Sequence, residues 1–271
     1  MNIKAFLNSI QHKLAKSKLA VNLAVKLRNQ CNSVISYHLA DTPNHLKNGE
    51  SWIMSMVASD CSTFIDVGAY VGDWTECFLT HASNNCLGLV FEPCESAFQQ
   101  VENKFKNYSN LSLIQSACSD SIGEAIFYDI YPMQSSSLVN QKDNSGVAKT
   151  VKISTLDQEI EDRNWDYVDF LKIDCEGYDF NVLRGSVNLL TKQKIGVIQF
   201  EYGDYWAMSG NTLLACLRFL NSLEYKVFLL GEDGLLEFNY DLYGDYFRYT
   251  NFVAIAQNKM DKYKQLIKGV A

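Results

Sequence analysis

Residues 63–75 read Thr63-Phe-Ile-Asp66-Val-Gly68-Ala-Tyr-Val-Gly72-Asp-Trp-Thr75. A short apolar, β-branched run ends in a glycine loop, and helical spacing begins at once over 73–82. A strand that feeds a helix through such a loop belongs to a doubly wound sheet, which binds nucleotide-like ligands beyond the carboxyl ends of its strands. Gly68 and Gly72 let the backbone approach a ligand with no Cβ in the way. Working outward, further strands are predicted at 87–92, 111–116, 170–174, 196–201, 226–230 and 252–257, in addition to 63–68. Helical segments are predicted around 73–82, 95–106, 179–190 and 211–223. Strands that alternate with helices give an α/β fold with a largely parallel, doubly covered sheet. Between the third and fourth strands, 129–150 is rich in Ser, Asn, Gln and Gly and is expected as a loop over the strand ends, flanked by β-like pieces at 124–128 and 151–154.

The second strand ends in Phe91-Glu92-Pro93, where an acid can bond both hydroxyls of a ribose. Charge separates the adenosine cofactors. A dinucleotide site wants Gly-x-Gly-x-x-Gly so that a pyrophosphate can sit on the helix N-terminus. Here the first glycine is replaced by Asp66 and the third by Val71. A carboxylate repels phosphate but attracts the sulfonium and ammonium of S-adenosylmethionine, so the latter is the expected cofactor.

A second cluster, Asp169-Phe-Leu-Lys-Ile-Asp174-Cys-Glu176-Gly-Tyr178, ends the fourth strand. Asp174 and Glu176 are two apart and so share one face of an extended segment. Glu201 ends the fifth strand at the same sheet edge. These carboxylates suit a general base for a hydroxyl, acceptors for an ammonium, or ligands for a divalent cation such as Mg2+. Helix caps and solvated strand ends are the bland alternative. Aromatic residues follow, at Tyr202, Tyr205 and Trp206 and at Tyr240, Tyr243, Tyr246, Phe247 and Tyr249; they serve either a sugar face or ordinary packing. Of the four histidines, His38 and His45, in or beside the linker, could reach the cleft.

The chain of 271 residues carries 24 basic and 31 acidic side chains, a net charge of −7 that disfavours a duplex nucleic-acid partner. Residues 1–40 nevertheless hold six basic side chains and no acid. Their apolar positions have helical spacing, so residues 1–50 are expected as a basic helical extension. It would pack on the acidic body, or dock at an anionic membrane surface or on a partner. Residues 51–258 form the expected catalytic domain and 259–271 a basic tail. The eight cysteines show no CxxC or zinc spacing and read as buried thiols of a reducing cytoplasm.

FIDVGAYVGDWT, FEP, ACSDSIGEAIFY, STLD and above all DFLKIDCEGYDFNVLRGS resemble the FkbM-type S-adenosylmethionine-dependent methyltransferases. The resemblance covers about 62–202, with a continuation to 257. It implies the Rossmann-like class I methyltransferase fold, a seven-stranded sheet ordered 3-2-1-4-5-7-6 with the last strand antiparallel. It implies O-methylation of sugar, glycan or polyketide hydroxyls. By the same resemblance Asp66, Gly68, Ala69 and Gly72 form the cofactor loop and Glu92 with Pro93 holds the ribose. Ser116, Ala117 and Asp120 lie near the adenine, and Ser135–Ser137 line the acceptor side. Asp174 is the expected base or metal ligand, with Glu201 and Glu176 after it; Asp174 also faces the cofactor. A cofactor-binding scaffold without chemistry, and a methyltransferase for a small polyketide or lipid, are the alternatives.

Overall fold

The structure is a computed structural model; it describes residues 3–39, 42, 44, 47–130, 137, 138 and 146–271. The chain divides into two units, Met1–Leu39 and Ala40–Ala271. The first contains α1 (Ile3–Leu14) and α2 (Lys18–His38), and Ser17 caps α2 by accepting from the Ala20 N–H. The division falls after Leu39 rather than at the predicted residue 50.

The second unit opens with α3 (Glu50–Val57), β1 (Thr63–Val67), α4 (Asp73–His81), β2 (Leu87–Phe91), α5 (Glu95–Phe105) and β3 (Leu111–Ile114). Three strands follow, β4 (Ala117–Cys118), β5 (Gly123–Asp129) and β6 (Val147–Ser154), then α6 (Leu156–Asp162), β7 (Val168–Ile173), α7 (Asp179–Arg184), α8 (Val187–Thr191) and β8 (Ile195–Tyr202). The chain ends with α9 (Tyr205–Met208), α10 (Leu213–Ser222), β9 (Tyr225–Leu230), β10 (Leu235–Glu237), α11 (Tyr240–Tyr243), β11 (Thr250–Ala256), α12 (Met260–Tyr263) and β12 (Ile267–Val270).

Seven strands run β3-β2-β1-β7-β8-β11-β9, the predicted order, and β11 is antiparallel to both neighbours. The sheet is wider than predicted, because β10 and β12 extend it beyond β9 to nine strands. Residues 259–271 are therefore not a tail. Tyr263 and Leu266 enter the core, and β12 pairs in parallel with β10. The β-like pieces after β3 form a second sheet, β4-β6-β5, with β5 and β6 antiparallel from Gly123↔Ile153 to Asp129↔Val147.

The helix predicted over 179–190 is two helices. Gly185 interrupts it where a Cβ would lie 2.0 Å from the Ser119 carbonyl oxygen, so the chain bends at a close backbone approach. The large core follows from strand register. Phe64, Phe170, Val197 and Ile255 lie opposite one another across β1, β7, β8 and β11 and point to one face. Ile53 and Val57 of α3 and Phe78 of α4 cover them. Each fully buried ring or branched chain there stabilises by about 1.5–3 kcal/mol, which fixes the carboxyl ends of β1, β7 and β8 relative to one another.

Candidate active site

Those carboxyl ends open into a cavity of about 450 Å³. The loop after β1 forms one wall and uses left-handed backbone at Gly68 (φ 85°), Tyr70 (φ 51°) and Gly72 (φ 81°). At Gly68 a Cβ would lie 1.9 Å from the Asp174 carbonyl oxygen, so only glycine fits where the loop crosses the end of β7. Four of the loop's donors are consumed internally. The N–H groups of Gly68 and Ala69 both donate to the Phe91 carbonyl at 3.0 Å, and Tyr70 N–H donates to Glu92 Oε2 at 2.7 Å. Gly72 N–H donates to the Ala69 carbonyl at 2.8 Å. These donors already have acceptors, so the loop offers a poor seat for a pyrophosphate.

Glu92 closes the far wall. Its second oxygen accepts from Cys94 N–H at 2.7 Å, and burial pushes its carboxyl up to about 8 against the pull of these two bonds. Two bonds leave each oxygen further capacity for a hydroxyl. Pro93, Ser116, Ala117 and Phe127 continue this wall.

Beneath the loop lies Lys172, whose side chain is 4% exposed. Its Nζ sits 3.4 Å from Asp66 Oδ1, 3.2 Å from Asp174 Oδ2 and 3.4 Å from the Gly68 carbonyl oxygen. Burial works against the ammonium, but Asp174, Asp66 and Glu50 outweigh it and hold Lys172 charged. Asp66 is fully buried and also accepts from Thr75 Oγ1 at 2.6 Å, tying the first turn of α4 to β1.

Asp174 faces the cavity with 34% of its side chain exposed. Burial opposes its ionisation, but Lys172 and a hydrogen bond from Glu201 prevail and hold it below the usual carboxylate range. Glu201 is the reverse case: burial and the charges of Asp174 and Glu176 push it up, so it keeps its proton and donates it to Asp174. Glu176 is pushed up to about 9 by burial and by Asp174, Asp179 and Asp204. Asp179, fully buried behind them, accepts from the N–H groups of Gly177 and Glu201 at 3.3 Å each and so pins the end of β7 to the end of β8.

Most of the residues expected from sequence do meet here. Gly68, Ala69, Glu92, Pro93, Ser116, Ala117, Asp174, Glu176 and Glu201 all line the cavity. Three others do not. Asp66 acts from behind through Lys172 and Thr75. Gly72 packs on the Phe105 ring at the start of α4, where a Cβ would lie 2.6 Å from it. Asp120 turns away to an ion pair with Arg184 at 3.0 Å.

The proposed Mg2+ set is not assembled either. Among the described residues no group of three or more His, Cys, Asp or Glu side chains is placed to hold a metal ion. β7 ends at Ile173, and Glu176 stands in a left-handed turn (φ 50°), so the shared-face expectation for Asp174 and Glu176 fails. Lys172 supplies the positive charge beside Asp174 instead. Ser137 reaches the site edge, where its hydroxyl donates to the Glu176 carbonyl at 2.8 Å; Ser135, Ser136 and His45 lie outside the described residues. Tyr205 and Tyr249 line the cavity, whereas Tyr202 and Trp206 are core residues.

Sequence reasoning missed Lys172, the Glu50, Ser51 and Met54 face of α3, and Trp74. Glu50 is buried and accepts from Gln199 Nε2 at 2.8 Å and Asn48 Nδ2 at 3.0 Å. The Trp74 Nε1 is buried without a hydrogen-bond partner at the cavity wall.

Comparison with known proteins adds a family. The family model described as the methyltransferase FkbM domain matches residues 66–227. None of the curated proteins matches the chain. Among solved structures the chain is similar to methyltransferase FkbM from Methylobacillus flagellatus KT, with 16% identity and a TM-score of 0.47, over 72% of this chain and 44% of that one. The chain thus spans under half the length of that protein. It is also similar to an O-methyltransferase from Bacillus cereus in complex with SAH, with 11% identity and a TM-score of 0.43, over 83% and 87% of the two chains.

Proposed function

The chain belongs to the FkbM family of S-adenosylmethionine-dependent methyltransferases, and on that premise we propose that it O-methylates a hydroxyl of a neutral sugar or glycan. The cavity suits the cofactor. Its volume of about 450 Å³ falls in the range of small-molecule sites. The internally bonded loop suits a cofactor without phosphate, and carboxylates suit one with two cationic centres. Gly68, Ala69, Glu92, Pro93, Ser116 and Ala117 would hold the nucleoside side, and Asp174 an ammonium. When bound, S-adenosylmethionine supplies an already activated methyl group, so alignment accounts for much of the catalysis.

The chain must then position a hydroxyl and take its proton. One observation carries this reading: Asp174 opens to the cavity with its Oδ2 3.2 Å from the buried Lys172 ammonium, which favours its charged form, while burial and the Asp174 charge push the neighbouring Glu201 carboxyl up. A weakly basic carboxylate suffices, because a hydroxyl becomes strongly acidic as its oxygen gains a new carbon bond. Asp174 Oδ accepts that proton, while Lys172 and Glu201 fix the carboxylate's direction. Tyr205 and Tyr249, at the cavity wall, offer ring faces to a sugar. The acidic lining disfavours anionic acceptors, nucleic acid among them.

The test is incubation of the protein with labelled S-adenosylmethionine and neutral glycans, with and without EDTA, followed by mass spectrometry. Methylated product is expected. Asp174→Asn is expected to lower turnover at saturating S-adenosylmethionine by about 10²–10⁴-fold, with a weaker affinity for the cofactor in calorimetry from the lost ammonium contact. Unchanged turnover would remove Asp174 from the reaction.

A further inference from the structure

The first unit is built from two helices that leave their apolar faces uncovered. On α1, Phe6, Leu7, Ile10 and Leu14 are 39–53% exposed; at the helical step they fall within an arc of about 100°. Lys4 and Lys13 flank that arc on its two sides. On α2, Leu19, Leu23, Leu27, Val34 and Tyr37 are 59–82% exposed and fall within about 80°. Lys26 borders this stripe. Nine large apolar side chains in two continuous stripes are far more than the scattered exposure of an ordinary soluble surface.

Charge decides what covers them. Six basic residues and no acid occur in 1–40. A second copy of the segment would bring like charges together with no acid to offset them, although Leu23, Leu27, Val34 and Tyr37 could otherwise pair as a helix seam. An anionic lipid headgroup layer supplies the missing negative charge, and its acyl boundary takes the apolar stripes. Among the described residues no helix is long and apolar enough to cross a membrane, and amphipathic stripes of this kind suit the plane of the interface.

We propose that α1 and α2 form an interfacial anchor that binds anionic bilayers, with Phe6, Ile10, Leu14, Leu19, Leu23 and Leu27 entering the acyl boundary and the lysines contacting headgroups. This goes beyond the methyl-transfer chemistry and depends on none of it.

The experiment is co-sedimentation of the full chain with vesicles of phosphatidylcholine alone or mixed with phosphatidylserine. Binding is expected only to the mixed vesicles, and it should weaken with added salt. Lys13→Gln, Lys16→Gln and Lys26→Gln together should lower the partition coefficient roughly 100-fold, from a few-fold per charge. Leu23→Ser with Leu27→Ser should abolish binding. Retained S-adenosylmethionine binding in each variant shows that the second unit is folded. Equal binding to neutral vesicles, or no binding to either, overturns the proposal. So does a stable lipid-free dimer that the leucine variant dissociates, which would make a second copy the occupant.

Discussion

Lys172→Met removes the cation that Asp66 and Asp174 share. The wild-type separation of 3.4 Å to Asp66 corresponds to about 5 kcal/mol of attraction at an effective dielectric constant near 20. The full amount is not lost, because a buried carboxylate left alone takes up a proton. With an unfolded Asp near 3.9, holding Asp66 neutral costs about 4 kcal/mol at pH 7 and about 1.5 kcal/mol at pH 5. Burial already raises Asp66 in the wild type despite Lys172, so part of that cost is present before the substitution. The net loss is expected to be about 2–4 kcal/mol at pH 7 and about 1 kcal/mol at pH 5. The sign follows from linkage: a carboxyl raised above its unfolded value favours the fold below that value and loses ground as pH rises toward its folded one. Urea unfolding of both proteins at pH 5, 6 and 7, compared at equal slope, reads the difference directly. A loss that is the same at every pH would show that Asp66 does not depend on Lys172.

Two further outcomes follow from the same site. Glu176, raised to about 9, favours the fold below its unfolded value, near 4.3, and loses that contribution as pH climbs through 9. Glu176→Gln should match the wild type near pH 4 and exceed it by about 1–2 kcal/mol at pH 8, the cavity's water discounting the full shift; parallel stability profiles would contradict the raised carboxyl. Gly68→Ala forces a Cβ against the Asp174 carbonyl oxygen at a left-handed residue. Titration calorimetry should show S-adenosylmethionine affinity down at least about tenfold, a loss on the order of 1.4 kcal/mol, and unchanged affinity would mean that the loop can shift without cost.

Much of the fold was legible because strand, glycine loop and helix recur in order from Thr63 onward, and all seven predicted strands pair as expected. β10 and β12 were not, because three or four residues at a sheet edge carry too little periodicity to stand out. The site divides along a similar line. Residues that touch the cavity from loops, such as Gly68 and Glu92, are marked by chemistry that is odd for a strand end. Asp66 looked like one of them, but its place inside β1 turns it beneath the loop, a matter of strand alternation within a buried sheet. Asp120 was lost to Arg184, sixty-four residues away, a pairing with no local signal. Lys172 did have one: a lysine within Phe170-Leu-Lys-Ile173, where its neighbours are fully apolar, needs a buried counter-charge. The wall from α3 lay hidden behind the polar run at 41–50, which read as a boundary.

The acid-rich lining of the cavity also bears on what happens after the chemistry. Among its described residues, seven carboxyl side chains and a single lysine surround the space. Several of the acids hold protons, but Asp174 stays charged. A sulfonium that enters as a cation leaves as a neutral thioether once its methyl is gone. The surrounding field therefore grips the charged reactant more than the spent product. On the proposed reading, turnover lowers the cofactor's charge by one, and Asp174 would hold the product less tightly than the reactant.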